Sequence, residues 1–238
     1  MGKNKLQHFA EMKEFKHTFE GFSINLLNDD FHLKGKWNAD FFKNNNPIVL
    51  ELGCGKGEYT VGLAEKYPNK NFIGVDIKGA RIWFGAKKAL EANLNNVAFY
   101  RGVIEFINKV FAKNEISEIW ITFPDPQRKK MRKRLTSARF LELYKEICIP
   151  NAQIHLKTDS KLLYYFTNEL IKYNNLELEA STNDLYSQQL ESEELSIRTF
   201  YEKMFLRMND TITYTRFKLN DKPIENPDTR EGEKQFDK

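Results

Sequence analysis

The stretch PIVLELGCGKGE at residues 47–58 joins an apolar, β-branched run to a glycine-rich turn. A compact apolar run bounded by turn residues is typical of a buried strand, and a helical pattern opens beyond the turn. The backbone can approach a ligand closely at three glycines, Gly53, Gly55 and Gly57. A second run, NFIGVD, ends in Asp76, and an acid at this place can bind both hydroxyls of a ribose. Together the two runs predict a site for a cofactor that contains a nucleoside.

Strand and helix patterns alternate along the rest of the chain. Three more candidate strands are residues 97–100, 116–123 and 152–157. Apolar residues recur at helical spacing between them, which predicts an α/β fold with a doubly wound, mainly parallel sheet. Two late runs, residues 176–180 and 211–219, are typical of an antiparallel hairpin at the sheet edge. We therefore expect seven strands.

The composition is that of a globular protein, with 238 residues, of which 41% are hydrophobic and 29% charged. We expect the main domain to span residues 41–219. Residues 1–40 contain Phe and Trp but show weak periodicity, which predicts a loosely packed N-terminal arm. Residues 220–238 are polar and contain Pro223 and Pro227, which predicts a disordered tail.

Two further features narrow the class of protein. The N-terminal residues have no apolar signal region, and no run approaches the ~20 apolar residues of a membrane span, so we expect neither secretion nor membrane insertion. The two cysteines, Cys54 and Cys148, have no Cys or His neighbour at ligand spacing, which indicates neither a disulfide framework nor a metal site. We expect a cytoplasmic protein that holds no metal.

The acids around the glycine turn select the kind of cofactor. The spacing is G-x-G-x-G with Glu58 behind it, so the dinucleotide fingerprint G-x-G-x-x-G is not met. Glu51 and Glu58 would repel a pyrophosphate, whereas they suit S-adenosylmethionine, whose ammonium and sulfonium groups are cationic. The alternative is a glycine turn that binds nothing, which the strand, turn, helix and Asp76 in register argue against.

A second motif, FPDPQRKKMRKRL at residues 123–135, follows the fourth strand. The carboxyl ends of strands beside a topological switch point face the ligand crevice, so we expect Asp125 to point toward the methyl donor. The residues after it are densely basic, which predicts contacts with nucleic-acid phosphates at Arg128, Lys130, Arg132, Lys133 and Arg134. No aromatic residue interrupts them, so base stacking is not expected. The alternative is a turn Asp followed by a solvated loop.

Six short motifs occur together in a fixed order. They are ELG-x-G-x-G at 51–57, FPDP at 123–126, KK at 129–130, KRL at 133–135, TD at 158–159 and TFYE at 199–202. In this order they resemble the bacterial tRNA (guanine-N7-)-methyltransferase family, which methylates a guanosine in the tRNA variable loop. The resemblance covers roughly residues 41–219. It implies a class I S-adenosylmethionine-dependent methyltransferase fold of the Rossmann-like type, S-adenosylmethionine as cofactor, tRNA as partner, and a monomer or homodimer.

The resemblance also implies roles for individual residues. It implies cofactor contacts at Glu51, Asp76 and Asp125, and tRNA or guanine contacts at Lys129, Asp159, Thr199 and Glu202. Local sequence leaves structural alternatives open, because Asp159 could be the N-cap of the following helix and Thr199-x-x-Glu202 fits a capping box.

Three positions depart from the family pattern. Gln127 stands where Trp is usual, and Asp76 replaces the commoner Glu. Gly102 stands where the family has Asp or Asn near the adenine, which suggests that backbone groups alone hold that ring.

The implied reaction makes a limited chemical demand. Guanine N7 carries an in-plane lone pair and no proton, so the enzyme must align N7, methyl carbon and sulfur rather than supply a base. Asp125 is the predicted catalytic residue, which either orients the guanine edge or offsets the positive charge that develops on the purine. The competing hypotheses are a methyltransferase acting on another RNA or on a protein, and an RNA-binding module with an idle cofactor site.

Overall fold

A computed structural model of the chain describes residues 3–21, 28–188 and 192–236. The strands are β1 (Thr18–Glu20), β2 (Ile48–Leu52), β3 (Asn71–Asp76), β4 (Val97–Arg101), β5 (Ile116–Thr122), β6 (Cys148–Thr158), β7 (Leu178–Thr182) and β8 (Thr213–Lys218). They form one sheet in the order β1-β4-β3-β2-β5-β6-β8-β7. The pairs from β1 to β6 are parallel, and β8 is antiparallel to both β6 and β7.

Helices pack on both faces of this sheet. They are α1 (Lys3–Glu14), α2 (Glu58–Lys66), α3 (Gly79–Glu91), α4 (Ala138–Lys145), α5 (Lys161–Tyr173), α6 (Phe200–Arg207) and the short α7 (Arg230–Glu233). A π-helical turn covers Trp37–Phe42, and 3-10 turns cover Ile104–Lys109, Met131–Lys133 and Lys234–Phe236. Two apolar cores result, one on each side of the sheet.

The central strands read as continuous apolar runs because both of their faces are covered. All five residues of β2 are buried, and so are all six of β3. The chain moves from β2 outward to β3 and β4, and then returns to place β5 and β6 on the other side of β2. The topological switch point therefore lies between β2 and β5, and a ligand crevice is expected at their carboxyl ends.

The doubly wound α/β class and the late antiparallel hairpin are confirmed. The sheet has eight strands rather than seven, because residues 18–20 pair in parallel with β4, Thr18 opposite Phe99. A three-residue strand leaves no visible alternation in a sequence, so this edge strand could not be read from the pattern.

The two ends of the chain pack more closely than the sequence indicates. Trp37 is fully buried and its indole nitrogen donates to the Val110 carbonyl at 3.1 Å. In the C-terminal segment Ile224 and Thr229 are buried. Trp37 packs among aromatic rings from distant parts of the chain, such as Phe19 and Phe111, and contacts of this kind leave no helical or strand periodicity in the sequence. Residues 1–2, 22–27 and 237–238 of the predicted arm and tail lie outside the described residues, and the domain boundaries remain a prediction.

Across the described ranges, the structure contains no helix that combines the length and apolar character needed to cross a membrane.

Candidate active site

The glycine turn leads from β2 into α2 through three residues with positive φ. The φ angles of Gly53, Gly55 and Gly57 are 76°, 55° and 67°, a region that side chains disfavour. A Cβ at Gly53 would meet nothing within 4 Å, and one at Gly55 only the Gly53 carbonyl at 4.0 Å, whereas one at Gly57 would lie 2.5 Å from the Phe99 ring. The first two glycines thus border open space where a ligand can approach, and the third allows close helix–strand packing.

Asp76 braces this turn from the end of β3. Its Oδ2 accepts from the Gly55 amide at 2.9 Å, and its Oδ1 accepts from the Lys78 amide at 2.7 Å. Each carboxylate oxygen has a second lone pair, which can accept a ribose hydroxyl. The predicted position of Asp76 beside the glycine turn is therefore what the structure shows.

Glu51 lies beneath the turn and is 3% exposed. Its Oε2 accepts from the Thr60 amide at 2.8 Å and from the Thr60 hydroxyl, and its Oε1 accepts from the Thr122 hydroxyl at 2.6 Å. Burial raises the pKa of this carboxyl to about 7. The side chain therefore ties together β2, α2 and β5, and a direct cofactor contact by Glu51 remains a prediction.

A cavity of about 430 Å³ opens at the carboxyl ends of the central strands. Its size suits a small-molecule ligand. It is lined by Gly53, Asp76, Ile77, Lys78, Arg81, Gly102, Val103, Ile104, Glu105, Phe123, Pro124, Asp125, Gln127, Lys133, Leu135 and Phe140. The cavity thus brings together four of the seven predicted cofactor residues, Gly53, Asp76, Gly102 and Asp125. It also includes Arg81, five positions after Asp76, which the sequence analysis did not single out.

The departure at Gly102 has a packing cause. A Cβ at this position would lie 2.3 Å from the Tyr100 ring, so no larger residue fits while Tyr100 keeps its buried place. The Gly102 amide donates to the Asp76 carbonyl at 3.1 Å. Gly102 therefore presents only backbone atoms to the cavity.

Asp125 stands in a loop that is held in an uncommon backbone conformation. Phe123 and Gln127 both have a φ of 48°, which is uncommon for residues with a side chain. The Asp125 side chain is exposed, and its Oδ1 accepts from the Gln127 amide at 2.9 Å. The Phe123 amide donates to the Lys157 carbonyl at 2.8 Å. Strained conformations of this kind concentrate at functional sites, and here they present one carboxylate at the cavity wall.

The basic residues after Asp125 divide into two groups. Five have exposed side chains: Arg128, Lys129, Lys130, Arg132 and Lys133. Arg134 is 0% exposed, and its guanidinium pairs with both oxygens of Glu233 at 2.6 and 2.8 Å. The last cation of the run thus turns inward under the C-terminal segment, which does not favour a phosphate contact at Arg134, and that contact stays a prediction.

The turn at Thr199–Glu202 forms the capping box that the sequence left as an alternative. The Thr199 hydroxyl accepts from the Glu202 amide at 3.2 Å, and the Glu202 carboxylate accepts from the Thr199 amide at 3.3 Å. Glu202 is fully buried, forms an ion pair with the equally buried Lys157 at 2.8 Å, and accepts from the Tyr186 hydroxyl. This burial does not favour a direct tRNA contact by Glu202, which stays a prediction, while the neighbouring Phe200 is half exposed.

Asp159 follows β6 but does not cap α5. The N-cap is Ser160, whose hydroxyl accepts from the Leu163 amide at 3.2 Å. Asp159 is partly buried, which raises the pKa of its carboxyl. It remains a candidate substrate contact, although Lys129, Asp159, Thr199 and Glu202 are absent from the described lining of the cavity.

The described residues contain no group of side chains that could hold a metal ion. Among residues 3–21, 28–188 and 192–236, no three His, Cys, Asp or Glu side chains are grouped so that they could hold an ion.

Comparison with solved structures places the fold. The structure resembles an antibiotic-related methyltransferase with a TM-score of 0.59 and 16% identity, covering 80% of this chain and 96% of that one. It also resembles the 16S rRNA methyltransferase KamB with a TM-score of 0.58 and 13% identity, covering 76% and 91%. At this identity the likeness shows the fold alone, which is that of class I S-adenosylmethionine-dependent methyltransferases.

Sequence comparison is more specific. A family described as "Putative methyltransferase" matches residues 45–215. The tRNA (guanine-N(7)-)-methyltransferase of Bacteroides fragilis is 52% identical over 219 residues, covering 92% of this chain and 87% of that protein. Those of Christiangramia forsetii and Porphyromonas gingivalis are 51% and 50% identical, covering 91% and 90% of this chain and 98% and 89% of theirs. With this identity over nearly its whole length, the chain belongs to the tRNA (guanine-N(7)-)-methyltransferase family.

Proposed function

We propose that this chain transfers a methyl group from S-adenosylmethionine to N7 of a guanosine in the variable loop of tRNA. The observation that carries the proposal is one cavity that Gly53 of the glycine turn, Asp76 and Asp125 share with Lys133 of the basic run. A site for a cationic nucleoside cofactor therefore lies directly beside a surface suited to nucleic-acid phosphates. The tRNA substrate also supports a cytoplasmic location.

The residues of the turn suit S-adenosylmethionine. The open space beside Gly53 and Gly55 leaves room for the cofactor, and Asp76 has lone pairs for the ribose hydroxyls. Backbone groups at Gly102 and Val103 would border the adenine. When bound, the cofactor supplies an electrophilic methyl group.

The protein's part in the reaction is alignment and charge. Guanine N7 needs no base, so the site has to hold the purine edge in line with the methyl group and keep water out. Asp125, exposed at the cavity wall, can accept a hydrogen bond from the guanine edge, and its charge opposes the positive charge that develops on the purine. The exposed cations from Arg128 to Lys133 would hold the tRNA by its phosphates, and the family resemblance implies a tRNA or guanine contact at Lys129.

The decisive experiment is incubation of the purified chain with labelled S-adenosylmethionine and total tRNA, followed by nucleoside analysis. We expect label in 7-methylguanosine alone, and nuclease fragments of the labelled tRNA should place it in the variable loop. Label in another nucleoside or in protein would point to the other methyltransferase hypotheses, and cofactor binding without transfer would indicate an RNA-binding module.

A matched pair of variants tests the cofactor assignment. Gly55→Val should abolish S-adenosylmethionine binding, since a β-branched side chain fills the open space and resists positive φ. Asn114→Val is the control, because Asn114 has a φ of 63° and is exposed just before β5, at the opposite end of that strand. Undiminished binding by folded Gly55→Val protein would exclude the glycine turn as the cofactor site.

A further inference from the structure

The C-terminal segment, residues 224–236, packs against the basic loop, residues 123–135, and the helix after it. The Ala138 amide at the start of α4 donates to Asn226 Oδ1 at 2.9 Å. Arg128 donates from Nη1 to the Phe236 carbonyl at 2.6 Å, and the Phe236 ring lies 5.6 Å from that of Tyr165 on α5. We call residues 224–236 the C-terminal strap.

Arg134 is the point at which the strap and the loop meet. Its Nε donates to the Pro126 carbonyl at 3.2 Å and its Nη2 to the Arg128 carbonyl at 3.4 Å. The same guanidinium donates to both oxygens of Glu233 and lies 4.6 Å from the Phe166 ring. One buried cation therefore joins two carbonyls of the loop to one carboxylate of the strap.

The loop depends on such support because its own backbone supplies little. Phe123 and Gln127 are both in the left-handed region, and such conformations persist only where the surroundings hold them. Asp125 lies between these two residues, directly before Pro126, so the position of the Pro126 carbonyl bears on where the Asp125 carboxylate points.

Glu233 is the residue that makes the arrangement stable. A buried guanidinium without a carboxylate partner is costly, so Arg134 can remain inside only while Glu233 faces it. The Thr229 hydroxyl, one turn earlier, also donates to Glu233 and fixes its rotamer. The short helix α7 brings the Glu233 side chain to the loop.

We propose that Glu233 is a positioning residue for methyl transfer, which acts through Arg134 to hold the basic loop and thereby sets the direction of Asp125 and of the exposed cations. The inference rests on the proposed function for its kinetic consequence, but the mechanical link between strap and loop stands independently. Arg134 is fully buried, Glu233 faces it, and neither lines the cavity, so the expected signature is a loss of turnover with cofactor affinity intact.

The kinetic test compares Glu233→Gln with Glu231→Gln. Glu231 lies in the same short helix but is 88% exposed and pairs only with Lys234 in the described chain. We expect Glu233→Gln to lower kcat for tRNA methylation by roughly ten- to hundredfold, since small misplacements of catalytic groups cost this much. The dissociation constant of S-adenosylmethionine should not change, Glu233→Asp should recover part of kcat, and Glu231→Gln should behave as wild type.

A second measurement needs no activity. Trypsin cleaves after Arg and Lys, and the exposed loop offers Arg128, Lys129, Lys130, Arg132 and Lys133. With the strap released, Glu233→Gln protein should be cut in this loop faster than wild type, with cleavage sites located by mass spectrometry. If wild-type protein methylates no tRNA, the proposed function fails, while the cleavage rates still decide whether the strap holds the loop.

The double variant Arg134→Met/Glu233→Met separates positioning from folding. Replacing a buried ion pair by apolar side chains is often neutral for stability, so this protein should melt near the wild-type temperature. It lacks the donors to Pro126 and Arg128, and we expect it to remain slow in turnover and quick to be cut. Wild-type kcat and cleavage in either the double variant or Glu233→Gln would overturn the proposal.

Discussion

The basic loop and the turn at Thr199–Glu202 both carry residues that were predicted to contact the substrate, and the structure places these residues in opposite environments. The loop presents five cations to solvent and turns one inward. The turn buries both of its polar residues, Thr199 and Glu202, and exposes the aromatic Phe200 between them. Neighbouring side chains of one motif thus divide between exposed and buried positions.

The difference shows what determines the role of a charged residue. Arg134 and Glu202 are both buried charges with a partner on a distant segment, Glu233 and Lys157 respectively. Within the described residues, the five exposed cations of the loop form no ion pair. Arg128 donates a hydrogen bond to the Phe236 backbone carbonyl. A buried partner, more than the motif itself, therefore indicates a structural role.

The largest effect is expected on stability, at the buried residue Glu202. Glu202→Ala should lower the free energy of unfolding by about 3–5 kcal/mol, because it leaves the buried Lys157 ammonium unpaired. Urea denaturation measures the loss. Lys157→Met/Glu202→Met should regain most of it, and a Glu202→Ala protein as stable as wild type would mean that the pair contributes nothing.

The next largest effect is expected on the rate of methylation, at the exposed residue Asp125. Asp125→Ala should lower single-turnover methylation by roughly 10²–10³-fold, the range seen when a preorganised polar group at a transition state is removed, while tRNA affinity changes little. Asp125→Asn keeps a hydrogen-bond acceptor and removes the charge. An active Asn variant would favour orientation of the guanine edge, and an inactive one would favour charge compensation.

A smaller effect is expected for the exposed cations. Lys130→Ala/Lys133→Ala should weaken the binding of all tRNAs alike by about tenfold. The slope of the logarithm of the binding constant against the logarithm of the salt concentration should become smaller by about one to two, since each phosphate contact releases counterions. Binding across a salt series measures it, with Lys66→Ala/Lys172→Ala as a control that removes two exposed charges elsewhere. Parallel salt lines for the loop variant, or a loss limited to certain tRNAs, would contradict phosphate binding.

The smallest effect concerns the cap of α6. Thr199→Ala should cost about 1 kcal/mol of unfolding free energy through the lost capping box, and Thr199→Ser should restore it. If Thr199 only caps the helix, the KM for tRNA will follow stability. A rise in the KM for tRNA that Thr199→Ser does not reverse would indicate that Thr199 contacts the substrate directly.

The cofactor half of the site could be predicted because its determinants are local in sequence. The glycines, the strand before them and Asp76 at the next strand end all lie within thirty residues, and each follows from backbone geometry. The buried central strands likewise follow from continuous apolar runs.

The remaining features depend on partners far along the chain. Arg134 and Glu233 are 99 positions apart, and Trp37 and Val110 are 73 apart. A basic run gives no sign of which cation turns inward, because that depends on a carboxylate brought near by the fold. Gly102 is an intermediate case, since its cause, Tyr100, is only two residues away but acts through side-chain packing.

Strand β1 has a consequence for how the protein behaves in a crowded solution. The Phe99 amide donates to the His17 carbonyl at 2.8 Å and the Gly21 amide to the Arg101 carbonyl at 3.0 Å, so β1 occupies hydrogen-bonding groups along β4 that would otherwise face outward. A bare apolar edge strand is a template for pairing with another chain. We expect a chain without residues 1–21 to self-associate with rising concentration, seen as light scattering, because those residues shield the sheet from its own copies.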